Sequence, residues 1–205
     1  MRIRSLVLTL VGGLLLVAGT AAPTASGQAA QQPDAQQQQV DEMMQVIAKL
    51  ATPGEHHKHL EQLVGAWSTT SKFWPAPDAP PMESTGEAVH QPVLGGRFIH
   101  VTYKGVMMDT PFEGMGFIGY DNYQQKHVDF WIDNFGTLML VGEGSCSDDG
   151  KTVTMFTTAD DPISKTRKTL RSVYTFRGDQ YTLEMFDTGP DGQEFRTLEI
   201  IHTRK

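Results

Sequence analysis

Gly65-Ala66-Trp67 opens and Thr203-Arg204-Lys205 closes a run of short segments with strand character, and the fold is decided by how that run is read. Ten segments can be marked by their punctuation: 66–74, 83–91, 97–104, 111–120, 126–133, 137–144, 152–158, 167–176, 180–187 and 194–204. Between them stand turn signals such as Gly95-Gly96, Asp121-Asn122, Asp148-Asp149-Gly150, Gly178-Asp179 and Gly189-Pro190-Asp191-Gly192. Strands of this length at this spacing, with no helix between them, predict an antiparallel meander. Closing such a sheet removes its edges and leaves either a packed interior or a ligand cavity. The sequence therefore predicts an all-β chain: a closed, up-and-down antiparallel barrel of about ten strands, preceded by one or two short helices.

Upstream of the strands the chain changes character twice. Arg2 and Arg4 precede the apolar run Leu6 to Ala18, and small residues follow through Ala22, Ala25 and Gly27, the layout of a secretory signal peptide over 1–27. The run is shorter than the ~20 residues needed to span a bilayer, so no retained transmembrane segment is predicted and the mature chain is expected in the periplasm or outside the cell. Residues 28–40 are Gln, Ala, Pro and Asp up to Val40, with too little apolar surface to offset the entropy of ordering them, and read as a flexible linker. The remainder, 41–205, is a comfortable length for one domain with its own core. Within it Met43, Val46, Ile47 and Leu50 recur at helical spacing. Thr52-Pro53-Gly54-Glu55 then reads as a capping box with proline at the first helical position, leading to Leu60 and Leu63 on one face.

Charge and motifs exclude more than they select. Setting aside Arg2 and Arg4 leaves 15 Lys and Arg against 24 Asp and Glu, a formal charge of −9, with no basic cluster beyond the short Lys165-Thr166-Arg167-Lys168. Nucleic acid, which is held through clustered cations, is not a predicted partner. Cys146 is the single cysteine, so no intramolecular disulfide forms, and its setting Ser145-Cys146-Ser147-Asp148-Asp149-Gly150 reads as a turn. Glu55, His56, His57 and His59 are dense, but zinc needs three or four converging ligands and His57 projects away from its neighbours on a helix. Met107, Met108 and Met115 are read as core fillers rather than copper ligands. No metal and no cofactor is assigned. Serine-hydrolase, metalloprotease, phosphate-loop and dinucleotide motifs are absent from the sequence, and no catalytic residue is assigned.

Several ordered motifs together carry a family resemblance: Pro53-Gly54-Glu55-His56-His57-Lys58-His59-Leu60, Leu63-Val64-Gly65-Ala66-Trp67, Leu94-Gly95-Gly96-Arg97-Phe98, Gly119-Tyr120-Asp121, Trp131-Ile132-Asp133, Gly136-Thr137 and Thr203-Arg204-Lys205. In that order they resemble the bacterial domain-of-unknown-function family 1579 over roughly residues 53 to 205, with His202 standing where an aromatic would be expected. The resemblance implies a calycin, or lipocalin-like, barrel and no established activity. In calycins a glycine-x-tryptophan on the first strand and an arginine on the last close one end, which makes Gly65, Trp67 and Arg204 the expected structural closure, and short helices cover one mouth. If Trp67 points inward, strand alternation sends Thr69, Ser71 and Phe73 the same way, and puts His202, Ile200, Leu198 and Arg196 with Arg204. Trp67 and Arg204 would then stack, a contact of about 0.5–2 kcal/mol.

The segment His127 to Asp133 has one face of His127, Asp129, Trp131 and Asp133 and another of Val128, Phe130 and Ile132, and alternation alone leaves open which of them is lumenal. Gly114, Gly116 and Gly119, with Gly142 and Gly144, mark either strong curvature or close approach of another group. The family motifs put Arg97, Tyr120, Trp131 and Asp133 on successive strands or their ends, and with His202 these are the candidate lumenal ligand-binding residues. The leading functional expectation is an exported barrel for a small lipophilic or amphipathic ligand. The alternatives are a small-substrate enzyme using lumenal Asp133, His127 or His202, and an envelope interaction module whose lumen is packed solid.

Overall fold

The computed structural model describes residues 35–161, 165–189 and 191–205. The expected leader, 1–27, and the first residues of the expected linker lie outside the described residues. By its contacts the chain parts into Met1–Glu42 and Met43–Lys205, and the barrel belongs to the second unit.

Ten strands follow in chain order: β1 Gly65–Phe73, β2 Met82–Val93, β3 Phe98–Met107, β4 Thr110–Asp121, β5 Lys126–Asp133, β6 Leu140–Cys146, β7 Thr152–Asp161, β8 Thr166–Arg177, β9 Gln180–Thr188 and β10 Glu194–Arg204. Each pairs antiparallel with its neighbour in sequence, and β1 pairs with β10 to close the barrel. β3 and β7 each run three residues past their expected ends, and β6 starts three residues late, at Leu140 rather than 137. Asn134 accounts for the late start of β6: its side chain accepts from Glu113 N–H and donates to Pro111 C=O, both at 3.0 Å, turning the chain away from the ladder. Cys146 consequently ends β6 opposite Val153 instead of sitting in the turn.

The helical segment also departs from the sequence reading. Helix α1, Ala35–Ala51, begins inside the stretch read as a linker, where Ala and Gln are strong helix formers and Gln37 donates to Asp41 one turn on at 2.8 Å. Its apolar stripe covers no mouth: Met43, Val46, Ile47 and Leu50 are all exposed. Thr52 does not cap the following helix, because its hydroxyl bonds back to Ala48 C=O at 2.7 Å. Helix α2, Glu55–His59, is capped instead by Gly54, whose N–H donates to His57 Nδ1 at 3.1 Å. A single 3₁₀ turn, Leu60–Leu63, carries the chain into β1.

That turn and the strand ends form a plug. Leu60, Leu63 and Trp67 are at most 2% exposed, and each such side chain buried contributes roughly 1.5–3 kcal/mol. The Trp67 indole N–H donates to Leu63 C=O at 2.9 Å, and the Arg204 guanidinium lies 4.2 Å over its ring. Arg204 also donates to Val64 C=O at 2.6 Å and Gln62 C=O at 3.2 Å, tying the last strand to the first. Gly65, at φ 143°, occupies backbone space that favours glycine, and a Cβ there would run into the same guanidinium.

Alternation holds along β10 for His202, Ile200 and Leu198, which face the lumen, but not for Arg196. The register shifts between Arg196 and Leu198, a bulge that turns Arg196 to the outer face. There it pairs with Glu184 and Glu199 at 2.7 and 2.6 Å and lies 4.6 Å over the Trp74 ring.

Candidate functional site

The barrel interior holds a cavity of about 290 Å³. Its floor is built on the plug: His90 from β2, Tyr181 from β9 and His202 from β10, all at most 4% exposed. Tyr181 stacks on His202 with ring centres 3.9 Å apart, sets its hydroxyl 3.4 Å from His90 Nε2, and receives Trp67 edge-on at 5.0 Å. Burial lowers His90 to about 4, and burial followed by the neighbouring His90 lowers His202 to about 3, so both imidazoles are neutral at physiological pH. Burial raises Tyr181 and Tyr174, keeping both phenols protonated.

One wall is polar. The face of β5 carrying His127, Asp129, Trp131 and Asp133 points inward, and Asp129, Trp131 and Asp133 line the cavity with Thr157, Ser172 and Tyr174. On the outer side Phe130 stacks on Phe117 at 5.3 Å, and Phe117 on His100 at 4.8 Å. The Trp131 indole lies across Gly114 of β4, where a Cβ would collide with its ring, and beside Gly116, where a Cβ would strike the Phe130 carbonyl. These glycines therefore serve close approach. Trp131 donates to Asp133 Oδ2 at 2.9 Å, and the Phe135 N–H donates to Asp133 Oδ1 at 3.0 Å, which fixes the indole and satisfies that carboxylate. Asp129 is different: burial raises its carboxyl to about 6, held back only by the backbone N–H of Gly142. At the far end from the plug, Val106, Leu138 and Met139 are exposed around the loops after β3 and β5.

Under α2 a second cluster closes the plugged end. His56 stacks on Tyr120 with centres 4.1 Å apart, and His127, 1% exposed, lies edge-on to His56 at 5.7 Å and to His59 at 6.3 Å. Burial, then the charges of His56, His59 and His57, lower His127 to about 4. His59 is bonded to Gly150 C=O and lies 3.8 Å from Cys146 Sγ. Burial and Asp149 push the Cys146 thiol up, so it stays protonated beside its histidine. Among the described residues no three His, Cys, Asp or Glu side chains converge as a metal site.

Comparison with known proteins places this barrel. The family model described as "Protein of unknown function (DUF1579)" matches residues 52–204. The chain belongs to the DUF1579 family. Among solved structures, the crystal structure of Rv2717c from M. tuberculosis is similar over 75% of this chain and 99% of its own, with a TM-score of 0.56 and 17% identity, a likeness of fold alone. No curated protein matches the chain.

In this DUF1579 barrel the candidate residues divide between the cavity and the plugged end outside it. Trp131, Asp133 and His202 line the cavity. Arg97 and Tyr120 do not: Arg97 sits in the turn after β2 and donates to Leu94 C=O at 3.0 Å, while Tyr120 ends β4 beneath His56. The meander explains this, because the start of β3 and the end of β4 share the plugged end and the end of β5 lies at the other. His90, Asp129, Tyr174 and Tyr181 were not among the candidates. Only Asp129 had a sequence signal, its parity with Trp131 and Asp133.

Proposed function

We propose that this DUF1579 protein is an exported barrel that binds a small, mostly apolar molecule in its lumen. The observation that carries the reading is the 290 Å³ cavity, whose walls are largely apolar and whose few polar groups converge from β2, β5, β8, β9 and β10. Ligand pockets of about 300–1,000 Å³ share this composition, and a volume at the bottom of that range favours a compact molecule over a long acyl chain. A lumen filled by side chains would have favoured the interaction module, and the open volume weighs against it. The enzyme reading calls for a carboxylate and an imidazole in contact, and among the described residues no Asp–His hydrogen bond forms in the lumen.

Export rests on Arg2, Arg4 and the apolar run to Ala18. An aqueous surround is supported by ion pairs on the outer surface, such as Lys126–Glu143 at 2.7 Å and Arg171–Glu194 at 2.5 Å, charges that a lipid-facing wall disfavours. Binding can be tested with a neutral solvatochromic dye on the purified mature chain. Saturable fluorescence gain, competed by small apolar compounds and abolished when Ser172→Trp fills the lumen, is the expected result. Equal dye response in wild type and Ser172→Trp would place binding outside the barrel and end the reading.

A further inference from the structure

The charge inside the lumen is one-sided, and the side it takes bears on the ligand. Among the described residues lining the cavity there is no lysine and no arginine. His90 and His202 are neutral, and Asp133 is already bonded to Trp131 and to the backbone of Phe135. That leaves Asp129. Its cross-strand partners are Ile118 on β4 and Gly142 on β6, neither able to neutralise it. Gly142 has no side chain for a reason: a Cβ there would strike both Asp129 Oδ1 and Thr157 Oγ1, so the glycine lets carboxylate and hydroxyl converge above it. Tyr174 on β8 is the titratable neighbour that feels the Asp129 charge, and it is protonated. A buried carboxylate without a cation is costly to hold, and a ligand that supplies the cation removes that cost on binding.

We propose that Asp129 makes this lumen selective for small apolar amines, binding the ligand's ammonium group against its carboxylate and the Thr157 hydroxyl. The proposal rests on the ligand-binding reading above and names the ligand class. Trp131 and Tyr174 add aromatic surface near the same wall, a setting that favours a desolvated cation. A carboxylate ligand, by contrast, would enter a cavity that holds two aspartates and nothing to pair with it. The titratable groups around Asp129 are Tyr174 from β8, His127 and Asp133 from its own strand, and Tyr120 from β4; β6 presents Gly142 and β7 Thr157.

The test compares three molecules of one shape, phenethylamine, 2-phenylethanol and phenylacetate, by calorimetry on the mature chain at pH 7.5. The amine should bind at least tenfold tighter than the alcohol, with phenylacetate weakest. Asp129→Asn should weaken the amine at least tenfold and leave the alcohol within about twofold. Should that variant fail to fold, wild type serves: protonating Asp129 at pH 5 should erase most of the amine's advantage over the alcohol. Alcohol binding with no amine preference, or a preference that survives both Asp129→Asn and pH 5, overturns the proposal and leaves lumenal binding standing. Binding of none of the three overturns the proposal together with the reading it rests on.

Discussion

Trp67 reaches three partners at once: the Leu63 carbonyl, the Arg204 guanidinium and the edge of Tyr181. Trp67→Ala should therefore cost roughly 3–5 kcal/mol in denaturant melts, the scale for losing a buried aromatic, and a loss under about 1 kcal/mol would remove the plug from the stability account. Gly114 is a test of the opposite kind. Gly114→Val puts bulk where the Trp131 ring lies, so the indole must leave Asp133; a loss of about 1–3 kcal/mol with a shifted tryptophan emission is the expected outcome. Three of the four buried histidines, His90, His127 and His202, set the acid limit. His90 and His127 at about 4 and His202 at about 3 stay neutral in the fold, but take up protons near 6.5 once unfolded. Their contribution is whole above pH 6.5 and is lost as pH falls towards 4, at roughly 1.4 kcal/mol per pH unit for each proton. Asp129 opposes them, since its folded value of about 6 lies above the usual 3.8 and acid relieves its buried charge, but it is one group against three. Urea midpoints should fall between pH 7.5 and 4.5, and His202→Phe should flatten that fall; a midpoint unchanged by pH would mean these imidazoles are solvated.

At the scale of elements, turn chemistry made β5 and β10 legible to the residue, because Asp121-Asn122 stands before β5 and Asn134 after it, and Asp191-Gly192 stands before β10. What alternation did not carry was Arg196, reversed by a bulge that leaves no mark in the residue types around Thr197. The same limit hid the floor. His90 and Tyr181 lie on β2 and β9, whose inward faces follow from registers set by neighbouring strands rather than from their own sequence. Helix α1 was misread for a different reason: periodicity in Met43, Val46, Ile47 and Leu50 states that one face is apolar, not what covers it. With no buried residue in α1, deleting residues through Ala51 should move the melting midpoint by less than about 2 °C, whereas Leu60→Ala should cost about 2–5 kcal/mol. A large loss from the α1 deletion would mean the helix packs on something in solution.

For the whole molecule, the closed meander separates two roles by end. The plugged end concentrates the aromatic and histidine packing that holds β1 to β10, and the lumen beyond it keeps open volume with two carboxylates and no cation, Asp133 bonded to Trp131 and Phe135 and Asp129 buried on the wall. The sequence could supply the barrel, since strand count, spacing and closure residues are local signals. The composition of the lumen is a sum over eight or more strands and emerges only when all of their registers are fixed together. That composition is what makes ligand binding the central claim. Native mass spectrometry of the chain purified from its producing cells without its first 27 residues tests it most directly: a single small adduct per chain, lost in Ser172→Trp, is the result expected of a working lumen. A bare chain mass for wild type under conditions that preserve weak complexes, with no adduct regained on adding small apolar amines or alcohols, would contradict it.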